Sequence, residues 1–79
     1  MVTVRYWAAA RAAAGRNEEP VQASDLGELL GRIVELHDIG RVLSVCSLLV
    51  DGAPVRREDT GHVLTEGAVV DILPPFAGG

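Results

Sequence analysis

Hydrophobic and polar residues alternate at the start of the chain and change period part-way along it. In VTVRYW, residues 2–7, Val2, Val4 and Tyr6 share one face and Thr3, Arg5 and Trp7 the other, the pattern of a half-buried strand. AAARAAAG follows; alanine has the highest helix propensity and Gly15 is a natural left-handed stop, so a short helix is expected. NEEPVQAS reads as a loop into a second short strand around Val21, where Pro20 suits a sheet edge or a strand start. From Ser24 the period becomes helical: Leu26, Leu29, Leu30, Ile33, Val34 and Leu36 make one apolar stripe. Ser24 or Asp25 can cap this helix, Asp25 and Glu28 have the capping-box offset, and Gly40 is expected to end it. Gly27 and Gly31 lie inside it at about 1 kcal/mol each relative to alanine, an expense that a close approach to a sheet would justify.

SLLVDGAPV reads as a strand, an Asp51-Gly52 turn and a strand, a strong hairpin signal. REDTGHVLTEG is polar, with Val63 and Leu64 expected to plug the core from a loop and Glu66-Gly67 to form a turn. AVVDIL is a final strand, apolar enough to be central. Strand, strand, helix, strand, strand, strand, with too few helices to cover both faces, predicts an α+β mixed sheet with one main helix across one face. Residues 1–73 would form this domain and 74–79 an extended tail.

Composition narrows what such a domain can do. At 79 residues it buries only about 60% of its unfolded surface, so a partner-facing surface is easier to build than an enclosed catalytic pocket. The net charge is −4 and the seven basic residues are all arginine, scattered along the chain, which argues against nucleic-acid binding. Without lysine, no side-chain amine can form an isopeptide bond. Cys46, the only cysteine, lies in VLSVCSLLV and reads as a small buried hydrophobe rather than a sulfur-carrying thiol. His37 and His62 lack ligand-spaced companions, so no metal site is expected. Asp71 reads as an outward, solvated position, or one meeting a partner arginine, and RRED (residues 56–59) as a solvated loop. No secretory signal or membrane-length apolar run is visible, which makes a cytoplasmic setting the expectation.

The chain closes on PPFAGG. Pro74 and Pro75 cannot extend a ladder and favour a stiff extended exit, Phe76 is expected to be exposed, and Ala77, Gly78 and Gly79 have almost no bulk. Such a segment could thread a narrow channel and deliver a carboxylate. A carboxylate must first be activated, for instance as an acyl-adenylate, and the chain has neither a P-loop nor a glycine-rich nucleotide fingerprint, so activation must come in trans. Strand parity also places Trp7, Leu49 and Leu73 outward; with Phe76 they would form an apolar patch leading to the tail, unless Trp7 packs within the fold.

With YWAAARAAAG, LLVDGAPV and TEGAVVDILPPFAGG in this order, the chain resembles the MoaD-like sulfur carriers of the ubiquitin-like β-grasp superfamily. The resemblance implies a β-grasp fold with a sheet of about five strands. It implies that an E1-like adenylating enzyme (MoeB/ThiF-like) uses ATP to adenylate Gly79, which then becomes a thiocarboxylate. Inserted into a MoaE-like molybdopterin synthase large subunit, that sulfur would pass to a pterin precursor. Gly78 would be the neighbour that must stay small, and Pro74, Pro75, Phe76 and Ala77 docking and spacing residues. No bound cofactor, nucleic acid or membrane is implied. Carriers for thiazole or cysteine synthesis, a ubiquitin-like protein modifier and a passive interaction module stay open. Ala68 after Gly67 departs from the acidic residue that relatives often have there.

Overall fold

In the computed structural model, which describes residues 1–75, the alternating opening segment is β1 (Val2–Tyr6), with Val2, Val4 and Tyr6 buried. The alanine run is α1 (Ala8–Ala14), closed by Gly15 at φ 74° in the left-handed region. β2 (Glu18–Val21) follows, then α2 (Leu26–Leu36), a short α3 (Gly40–Leu43), the hairpin β3 (Ser47–Val50) and β4 (Ala53–Val55), and β5 (Val69–Leu73). Asp51 and Gly52 both have positive φ (49° and 84°), the conformation of a two-residue turn whose twist matches the strands it joins.

The strands form one sheet in the order β2-β1-β5-β3-β4. β1 and β5 run parallel; the other pairs are antiparallel. β5 is therefore central, as its apolar sequence requires, and Pro20 sits on an edge strand, where its missing N–H leaves no central ladder gap. Val2, Val4, Tyr6, Leu48, Val70 and Ile72 join Leu26, Leu29 and Ile33 of α2 in one core cluster. Cys46 is buried there too, and burial pushes its thiol pKa up.

Several expectations need correction. The α2 stripe is narrower than read: Leu30 is half-buried, and Val34 and Leu36 are 45% and 59% exposed. The helix ends before Gly40, because His37 turns extended and its ring reaches Glu19; Gly40 instead opens α3. Gly27 does permit a close approach, but to a loop rather than the sheet: a Cβ there would lie 2.9 Å from Thr60 Cβ. Gly31 faces open space. Leu64 plugs the core, whereas Val63 is 71% exposed and its backbone bridges to Asp25. The cap is shared: Asp25 accepts from the Glu28 N–H, while Glu28 accepts from the Ser24 N–H. In the polar loop, Arg57 is no solvated residue, since it donates to the Leu43 and Cys46 carbonyls at 2.9 and 2.6 Å and satisfies the end of α3.

Candidate functional site

The central strand delivers the chain to the segment that the sequence singles out. Leu73 pairs with Ser47 as the last residue of β5, and Pro74 and Pro75 follow, exposed and outside any strand. Phe76, Ala77, Gly78 and Gly79 lie outside the described residues.

On the sheet face turned away from α2, alternation and register together build a surface. Arg5 stands beside Asp71, Asp71 beside Leu49, and Leu49 beside Pro54, in one row across four strands. One pleat step on, Leu73 and Ser47 are paired at the end from which the chain leaves. Trp7 follows β1 on this same parity and is 40% exposed; Leu49 and Leu73 are half-buried. Trp7, Leu49 and Leu73 thus share the outward face with the half-exposed Arg5, so the surface is not purely apolar.

Asp71 is the unexpected member. It is 4% exposed rather than solvated, and its arginine partner is on its own chain. Arg5 donates through Nε to Oδ1 at 2.7 Å and through its terminal nitrogen Nη2 to Oδ2 at 2.9 Å, and the Trp7 indole N–H donates to Oδ1 at 2.9 Å. These bonds, the one from Arg5 foremost, hold the carboxyl below the usual range against the opposing effect of burial, and Asp71 in turn raises the Arg5 pKa. Trp7 does pack within the fold along its polar edge, while its ring stays partly exposed. The Arg5 and Arg11 guanidinium carbons lie 6.0 and 5.7 Å from the ring centroid, within cation–π range. The Trp7 backbone N–H donates to the Ile72 carbonyl at 3.1 Å. The next residue, Ala8, has φ 51°, a left-handed conformation costing a non-glycine residue about 1–2 kcal/mol.

A second polar cluster lies on the opposite, core-facing side. Tyr6 donates its hydroxyl proton to Glu19 Oε2 at 2.6 Å, His37 Nε2 meets the same oxygen at 2.5 Å, and Arg16 donates to Oε1 at 3.2 Å. Nothing in the sequence reading brought Tyr6, Glu19 and His37 together, because their meeting depends on the β1–β2 pairing and on where α2 stops. Arg5 was the more accessible omission: it has the same parity as Trp7, though only the parallel register sets it beside Asp71. Among the described residues no cluster of three or more histidine, cysteine or acidic side chains could hold a metal ion, and no helix is long and apolar enough to cross a membrane.

Comparison with known proteins places this fold among relatives. Among solved structures, the small archaeal modifier protein 1 (SAMP1) of Methanosarcina acetivorans superposes with a TM-score of 0.84 at 23% identity, covering 99% of this chain and 95% of that one. A chain of the complex of subunits 1 and 2 of the molybdopterin-converting factor from Helicobacter pylori 26695 gives 0.76 at 26% identity, covering 99% and 97%. A chain of the Amycolatopsis orientalis BexX/CysO complex gives 0.81 at 21%, covering 100% of both. No curated protein matches the sequence. The ThiS family model matches residues 4–79, from the first strand through the final glycine, and the chain therefore belongs to the ThiS family of ubiquitin-like β-grasp sulfur carriers.

Proposed function

We propose that the protein is the sulfur-carrying small subunit of a molybdopterin synthase, acting in the cytoplasm. The observation that supports sulfur carriage is the family match over residues 4–79, which extends from the sheet through Gly79. Gly79 is the acyl site. An E1-like adenylating enzyme joins its carboxylate to the AMP portion of ATP, releasing pyrophosphate, and a sulfur donor displaces AMP to leave a thiocarboxylate. Gly78 and Ala77 keep the tail thin, and Pro74, Pro75 and Phe76 space and dock it in the large subunit. There the polarisable, ionised sulfur is delivered to the pterin precursor while enclosure limits hydrolysis. Trp7, Leu49 and Leu73 line the docking face beside the exit. Likeness to the two-subunit molybdopterin-converting factor supports this pathway. A second reading, a carrier for cysteine synthesis or a protein modifier, is favoured by the likeness to CysO and SAMP1.

The test is intact-mass spectrometry after incubation with ATP, the activating enzyme and a sulfur donor. A gain equal to exchanging one oxygen for one sulfur is expected; an unchanged mass rejects sulfur carriage. Loss of that sulfur on adding the large subunit and pterin precursor supports the synthase. Its persistence there, or adducts on other proteins, favours the second reading.

A further inference from the structure

Aspartate is disfavoured in strands, and a carboxylate with a side-chain exposure of 6% at the centre of a sheet must be paired to be tolerated. Apolar replacement of a whole buried ion pair is often neutral or stabilising, so pairing with Arg5 does not by itself account for an aspartate at this pleat position. Arg5 needs no such partner, because its side chain is 46% exposed and can be hydrated. What Asp71 does that valine cannot is to accept the Trp7 indole N–H. The backbone supports the same purpose: the left-handed Ala8 directly after Trp7 is strain at the junction where the ring is aimed.

We propose that Asp71 is a positioning residue for the docking face, fixing the Trp7 ring against the neighbouring guanidinium groups of Arg5 and Arg11 beside the tail exit so that it meets a partner pre-ordered. This rests on the reading of Trp7 as partner-facing. An ordered aromatic anchor loses less rotational freedom on binding, so its removal from order weakens association without removing any contact atom.

Trp7 is the chain's single tryptophan, so its fluorescence reports the ring directly. In the free protein, Asp71→Val is expected to lower the time-resolved anisotropy of Trp7 and shift its emission while the fold is kept. Asp71→Asn, which retains Oδ1 as acceptor, is expected to stay close to wild type. Asp71→Leu, which offers no acceptor, takes the place of the valine variant if that does not fold, with the same loss of Trp7 order expected and an equally ordered ring overturning the proposal. Affinity for the molybdopterin synthase large subunit should fall about tenfold in Asp71→Val. In a Trp7→Phe background, the same substitution should cost nothing further. An equally ordered ring in a folded Asp71→Val protein overturns the proposal, as does an undiminished loss of affinity in the Trp7→Phe background. Failure of the wild-type protein to bind the large subunit would instead reject the proposed pathway, and the anisotropy of the free protein would still decide the role of Asp71.

Discussion

Glu19 shows how a carboxylate is kept inside a small core: both of its oxygens are filled, one by Tyr6 and His37 and the other by Arg16. Desolvation pushes its pKa upward, but the hydrogen bonds with Tyr6 and His37, together with electrostatic attraction from His37 and Arg16, outweigh it, so the group ends below its ordinary value. The Tyr6 phenol moves the other way, far above its usual range, chiefly through burial, and remains a proton donor throughout the accessible pH range. Asp71 is also held low. A carboxyl whose folded pKa is below its unfolded one contributes stability fully above the unfolded value, near 4 for these side chains, and loses it as pH falls through the folded value. The protein is therefore expected to lose stability steeply below about pH 4. At neutral pH, Glu19→Gln should cost about 1–3 kcal/mol in urea unfolding, with the gap to wild type narrowing on acidification. A gap that stays constant from neutral to strongly acidic pH would contradict this assignment.

The two glycines of α2 look equivalent in the sequence and are not equivalent in the fold. At Gly27 an added methyl would meet both Thr60 Cβ at 2.9 Å and the Thr60 carbonyl oxygen at 3.2 Å, and the Gly27 N–H already donates to that carbonyl at 2.9 Å. Gly27→Ala should destabilise by about 1–3 kcal/mol, because the loop must shift. Gly31→Ala meets nothing within 4 Å and should stabilise by up to about 1 kcal/mol. Thermal or urea midpoints of the two variants check this, and movement in the same direction would refute it. Elements whose signal is local were legible: the β1 alternation, the alanine helix with its Gly15 stop, and the Asp51-Gly52 hairpin. The end of α2 was not, because a long-range bond from His37 to Glu19 turns the chain extended before the local stop at Gly40.

For the molecule as a whole, carriage and stability should separate. Adding one residue behind Gly79 is expected to abolish the oxygen-to-sulfur mass gain while leaving the unfolding midpoint unchanged, since the extension lies beyond β5 and its core contacts. Cys46 provides the complementary control: it is 6% exposed and burial pushes its thiol pKa up, so little reactive thiolate is available. Cys46→Ser should therefore accept sulfur at Gly79 like wild type, measured by intact mass. Loss of the gain in that variant would move the sulfur-carrying role to the thiol.

By itself the sequence determined the α+β class, the inward faces of β1, β3 and β5, and the central place of β5. All of these follow from short-range periodicity, residue propensity and the order of the elements. Only the tertiary structure decided that Asp71 is covered by Arg5 and Trp7, that Glu19 joins Tyr6 to His37, and that Gly27 makes room for Thr60. Each of these contacts joins residues far apart in the chain, through a parallel strand register, a helix end or a loop path. Burial and charge pairing at such points are properties of the assembled sheet, and no local pattern encodes them.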